Sequence, residues 1–160
     1  MKVVDAVLVP LGPWPRVLDA VTRLDGPLAV RDDPFSGFDA WTTATGVSRL
    51  SPSRPVLVIV DALLRPAGLL ALMTVTLDQL SRGRIAVGLE GGARDEVVDL
   101  LDRLLRGETV DHDGPAATLR GAVLGLRPVQ QPRPPLLIET SPGRWTDEAH
   151  EWRVAELRGA

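Results

Sequence analysis

"TLDQLSRGRIAVGLEGG", residues Thr76 to Gly92, carries three structural instructions in one stretch. An apolar helical run ends at Ser81, Gly83 lets the chain leave it, and "RIAVGLE" continues as a strand closed by Gly91 and Gly92. Glycine reaches left-handed backbone without steric cost, which suits it to a helix stop. A helix turning so abruptly into an apolar strand predicts a βα repeat, where each buried strand needs a short approach.

The alternation extends in both directions. "VVDAVLVPL" (Val3 to Leu11) reads as a short buried strand ended by Pro and Gly. "PRVLDAVTRL" sets Val17, Leu18, Val21 and Leu24 at helical spacing with Gly26 beyond, and "PLAV" reads as a short second strand. Asp33-Pro34 is expected to open the next helix, Asp as cap and Pro in the first turn. That helix is expected to reach about Val47, with Phe38, Trp41, Thr42 and Thr45 inward. "PVLVIV" (Pro55 to Val60) is continuous and β-branched, as a strand buried on both faces is.

Pro66 starts a helix whose Leu69, Leu70, Met73, Leu77 and Leu80 form one broad stripe. "ARDEVVDLLDRLLRG" follows, with Asp95 and Glu96 in its first turn and Arg103 and Arg106 in its last, charges that complement the helix dipole. "PPLLIET" reads as another strand. "WTDEAHEWRVAELR" reads as a final helix with Trp145, Ala149 and Trp152 on one face, a packing surface or, where exposed, a dimer patch. About five strand–helix units in series predict parallel strands with right-handed crossovers in a single domain spanning residues 1–160.

Composition narrows the function classes. The 160 residues carry a net charge of −3, and Lys2 is the only lysine among scattered arginines, so no basic face for nucleic acid is expected. There is no cysteine, and the two histidines lie far apart, which gives no metal-ligand spacing. His112 lies between Asp111 and Asp113, but Asp113-Gly114 reads better as a turn than as part of a metal site. No apolar run approaches the ~20 residues of a membrane span. The first residues lack a signal peptide's long apolar core, so a cytoplasmic location is expected.

Polar residues just past strand ends are the candidates for chemistry. Asp61 follows "PVLVIV", and Thr140-Ser141 follow "LLIE". Glu90-Gly91-Gly92 precede a helix, whose free N–H groups could cradle a phosphate; a tight βα loop explains the same glycines. Asp5, inside an apolar run, reads as a buried acid or as the surface edge of a short strand. "RPVQQPRPP" has PxxP character but leads directly into a strand, and is read as a rigid lead-in. No His, Cys or Ser constellation suggests a catalytic residue.

Three segments carry a family likeness. "TLDQLSRGRIAVGLEGG" resembles the helix-to-strand junction of luciferase-like flavin-dependent monooxygenases and their deazaflavin-dependent relatives. "DPFSGFDAWTTATGVSRL" resembles the family's D-P-F helix, and "GETVDHDGPAATLRGAVLGLRPVQQPRPPLLIE" its lead-in to a later strand. The resemblance covers roughly Asp33 to Thr140 and implies a TIM barrel, with FMN or a deazaflavin at the C-terminal ends of the strands. Asp61, Glu90, Gly91, Gly92, Thr140 and Ser141 would then line the cofactor site. Arg65-Pro66 stands where the family has His-Pro, and Glu139-Thr140 where Gly-Gly is common.

The resulting expectation is an α/β fold of parallel βα units resembling a partial TIM (β/α)8 barrel with about five strands, fewer than the eight of a full barrel. It would be an oxidoreductase or monooxygenase acting on a small-molecule substrate. The alternative is a degenerate scaffold without catalysis, acting through self-association or a partner chain. An incomplete barrel leaves open edges, so a homo-oligomer such as a dimer is expected, with the Trp-bearing last helix as cover.

Overall fold

A computed structural model of the protein describes residues 1–10, 12–33 and 39–156. In chain order the elements are β1 (Lys2–Leu8), α1 (Trp14–Arg23), β2 (Leu28–Arg31), α2 (Ala40–Leu50), β3 (Val56–Asp61), α3 (Ala67–Ser81) and β4 (Ile85–Glu90). There follow α4 (Arg94–Leu105), β5 (Val110–Asp113), β6 (Thr118–Ala122), β7 (Leu136–Ser141), β8 (Arg144–Thr146) and β9 (His150–Ala155). Seven strands close into a barrel in the order β1-β2-β3-β4-β7-β8-β9, while β5 and β6 form a separate hairpin. β8 runs antiparallel to both its neighbours, and β9 returns parallel to β1, from Lys2 opposite His150 to Val7 opposite Ala155.

Side-chain alternation divides the apolar residues into two layers. Val4, Ala6, Ala29, Leu57, Ile59, Ala86, Leu137, Trp145 and Trp152 fill the barrel interior. The opposite faces of β2, β3 and β4 pack under the helices, with Val56, Val58, Val60, Val87 and Leu89 against Leu70, Val75, Leu100 and Leu104. The interior is a fitted mixture of sizes. Three alanines on β1, β2 and β4, and Gly88 on β4, leave room for the two indoles of β8 and β9.

At the N-terminal ends of the strands, polar groups tie the layers together. Arg82 and Gly83 take left-handed backbone (φ 58° and 74°), and Gly83 N–H donates to Asp78 O at 2.9 Å, which ends α3 as its sequence indicates. The buried Asp78 carboxylate accepts from Val129 N, Gln130 N and Gln130 Nε2 at 2.6, 3.0 and 2.8 Å, fixing the segment that leads into β7. Arg84 donates to the carbonyls of Ser48, Ser51 and Arg54 at the end of α2. Arg54 does the same for Val21 and Leu24 at the end of α1. Cations at helix C-termini satisfy carbonyls that the helix leaves unpaired.

Several expectations are corrected. Over the described residues the expected final helix is replaced: "RWT" and "HEWRVA" are strands, joined by a turn in which Asp147 Oδ1 accepts from the N–H groups of Ala149 and His150. Trp145 and Trp152 face each other across β8 and β9 and are buried inside the barrel, so they are neither a helix face nor a dimer patch. The barrel has seven strands, not about five, because this hairpin closes the sheet and removes its open edges.

The cap of α2 is Asp39, whose carboxylate accepts from Thr42 N at 2.6 Å, and the helix runs to Leu50. Asp33 lies outside it, Pro34 and Phe38 fall outside the described residues, and Thr42 is exposed rather than inward. On α3, Leu70 and Leu77 are buried, whereas Leu69 and Leu80 face outward. β1 ends at Leu8. Among the described residues no helix is long and apolar enough to cross a membrane, and no cluster of His, Cys, Asp or Glu could hold a metal ion.

Candidate functional site

Parallel pairing places the tips of β3, β4 and β7 side by side. Asp61 pairs with Glu90, and Leu89 with Ile138, so the residues after these strands share the C-terminal rim of the barrel. The mouth at this rim is a cavity of about 240 Å³. Leu8, Ile59, Trp145 and Val154 give it an apolar floor, and Arg31, Glu139 and Glu156 give it a charged edge.

The sequence-derived candidates divide at this rim. Glu90 points towards Arg31, which donates from Nε at 3.1 Å and from a second guanidinium nitrogen to the other carboxylate oxygen. The hydrogen bond to Glu90 outweighs the cost of partial burial and, with the charges of Glu139 and Glu156, raises the Arg31 pKa. Asp61 caps its own loop by accepting from Leu63 N at 2.8 Å. Gly91 takes φ 84° against that carboxylate, and a Cβ there would lie 2.9 Å from either Asp61 oxygen. Gly91 is therefore required by the turn and by the close approach of Asp61.

Gly92 is exposed and lies over Leu63. Thr140 and Ser141 are exposed at the β7–β8 turn, where the Thr140 hydroxyl donates to Arg144 O at 3.3 Å. Ser141 lines a different depression with Asp5, Asp25 and Arg153, not the mouth. Asp5 is an exposed residue of β1, on the strand face opposite Val4 and Ala6.

Residues not singled out from the sequence also build the mouth. Arg31 and Glu139 lie two residues beyond interior Ala29 and Leu137 and so share their inward face, a parity visible in each strand once that face is known. Glu139 accepts from Gly143 N at 2.9 Å and so fixes the β7–β8 turn over the cavity. Arg65 clamps two elements of the rim, donating to Asp32 at 2.6 and 3.1 Å and also to Asp39, the cap of α2. Asp32 in turn accepts from Ala40 N at 3.1 Å. Partial burial opposes the charge on Asp39, but the N–H and hydroxyl of Thr42, together with Arg65, outweigh it and hold the carboxyl below its ordinary range.

No protein-family model matches the sequence. Solved structures do share the architecture. The monooxygenase RslO1 from Streptomyces bottropensis superposes with a TM-score of 0.70 at 19% identity, over 86% of this chain and 53% of that one. A coenzyme F420 dependent tetrahydromethanopterin reductase from Methanopyrus kandleri gives 0.68 at 14% identity, over 88% and 50%. The oxygenating constituent of 3,6-diketocamphane monooxygenase from Pseudomonas putida, in complex with FMN, gives 0.66 at 12%, over 86% and 51%. The likeness is one of fold. This chain spans about half the length of those it matches.

The residues at the mouth fit one part of such a cofactor and not another. An apolar floor closed by Trp145 suits a flat ring system. Most cations among the described rim residues are already engaged: Arg31 is bound to Glu90, Arg65 to Asp32 and Asp39, and Arg144 and Arg153 share Glu151, while Arg94 has only Asp95, at 3.9 Å. The N-terminus of α4 is already opposed by Asp95 and Glu96 in its first turn, and Asp61 lies against Gly91 in the loop before it.

Proposed function

We propose that this chain is a cytoplasmic oxidoreductase of the luciferase-like kind, taking the ring of a flavin or deazaflavin into the barrel mouth and acting on a small molecule. The observation that carries this reading is the apolar-floored cavity at the barrel mouth, lined from β1, β2, β3, β7, β8 and β9. The fold it shares with monooxygenases and an F420-dependent reductase supports it. A bound flavin supplies electron or hydride transfer, and the protein supplies orientation and a dry surface.

In this reading Leu8, Ile59, Trp145 and Val154 exclude water from below the ring. Glu90 holds the Arg31 guanidinium at the edge of the cavity, and Glu139 fixes the Gly143 turn above it. Titrating the protein with riboflavin, FMN and a deazaflavin, with Trp and flavin fluorescence as readouts, tests the reading. Saturable quenching by at least one of them is expected. No binding of any at high micromolar concentration removes the proposal.

A second reading, a scaffold acting through self-association, has its own observation. α3 is apolar on its outer face as well as its inner one, with Leu69, Leu72 and Leu80 each about half exposed. Self-association through this face is compatible with the first reading, whereas a scaffold without catalysis is not.

A further inference from the structure

Resting on the ring-binding reading above, we propose that the mouth selects an unphosphorylated flavin, riboflavin in its simplest form, over FMN or a deazaflavin cofactor with an anionic tail. Size sets where the tail lies, and charge then acts on it. The cavity holds about 240 Å³, below the ~300–1,000 Å³ usual for a site enclosing a whole drug-sized ligand. It admits one flat ring system and leaves any tail at the rim.

The rim is acidic where that tail would lie. Glu139 and Glu156 line the cavity, Glu90 stands behind Arg31, and Asp61 sits on the adjoining turn. Arg31 offsets one of these four carboxylates, and Arg65 is enclosed by Asp32 and Asp39. A phosphate entering this field meets like charge within the Debye length of ~10 Å at 0.1 M salt. Neutral ribityl hydroxyls meet no such repulsion: Glu139 and Glu156, which line the cavity, can each accept a hydrogen bond from a hydroxyl. The same side chains that repel a phosphate therefore favour a sugar alcohol.

The test measures dissociation constants of riboflavin and FMN for the whole protein at 0.02 M and 0.5 M salt, and repeats them on Glu156→Gln. Expected are riboflavin binding at least tenfold tighter at low salt and a gap that narrows several-fold at high salt. Glu156→Gln should tighten FMN about two- to threefold and weaken riboflavin slightly, since one charged acceptor for its hydroxyls becomes an amide. FMN binding as tightly as riboflavin, or tighter, overturns the selectivity while leaving the ring-binding reading intact. A riboflavin preference indifferent to salt and to Glu156→Gln overturns its electrostatic cause. If neither ligand binds, the ring-binding reading itself fails, and the selectivity with it.

Discussion

Gly88 lies opposite Trp145 inside the barrel, and an added Cβ would sit 2.9 Å from the indole Cε3 and 3.2 Å from Ile59 Cγ1. Neither neighbour is free to give way, because both are buried in the same interior cluster. Gly88→Ala is therefore expected to destabilise the fold by about 1–3 kcal/mol, the usual range for overpacking a tight core. Urea unfolding followed by Trp fluorescence measures it. Adding Trp145→Phe to Gly88→Ala makes room for the new methyl, so the double variant should lose less stability than the sum of the two single ones. Strict additivity would show that the glycine is not there for the indole. In the sequence Gly88 reads only as a small residue within a strand, since its partner lies far along the chain and is set by barrel closure.

At the scale of elements, the β5–β6 hairpin is held to α4 by Glu96. Its carboxylate pairs with His112 Nε2 at 2.7 Å and accepts from Ala116 N at 3.2 Å. The His112 hydrogen bond is the main cause of a lowered Glu96 pKa, outweighing desolvation, with the Ala116 N–H adding to it. A carboxyl whose folded pKa is depressed contributes stability above its unfolded pKa and loses it as pH falls through the folded value. Acidification below the ordinary glutamic acid range should thus release the hairpin before the barrel opens. Hydrogen exchange at the Ala116 amide should rise in that window, and Glu96→Gln should remove the pH dependence. An amide protected equally at all pH values would contradict the assignment.

Elements also show what was legible beforehand. β3, β4, α4 and the α3 stop were readable because burial, dipole charges and Gly83 each act locally. The segment from Trp145 to Ala155 was not: Trp145, Ala149 and Trp152 satisfy helical spacing, while Trp152 and Val154 satisfy strand alternation. Pairing with β1 and β7 decides between them, and that is a tertiary fact. The outer leucines of α3 were misassigned because leucines stand on both its faces, which blurs the inward phase.

Across the whole molecule, several polar residues from the quoted sequence stretches sit at the bottom of the barrel. Asp78, Gly83, Arg84 and the Val129-Gln130 segment bind helix ends and strand approaches there, the face where barrels keep their stability. The mouth was legible only as a rim position, and its ion pairs were not. What the closed barrel leaves unsatisfied is the outside of α3. A monomer can expose single leucines, but Leu69, Leu72 and Leu80 share the outer face of one helix whose only acid, Asp78, is buried. A stable interface needs about 800 Å² per partner, so further exposed residues beyond these three leucines would have to join them. A second copy packed helix to helix supplies an identical apolar face, and a two-fold arrangement needs no other partner. Sedimentation should find the protein at twice the chain mass at micromolar concentration. Leu72→Glu, which places a charge in the middle of that face, should return it to a monomer with the melting of the isolated barrel unchanged to within ~0.5 kcal/mol, as for an exposed site. A wild-type chain that stays monomeric at high micromolar concentration would leave α3 without a second copy to cover it.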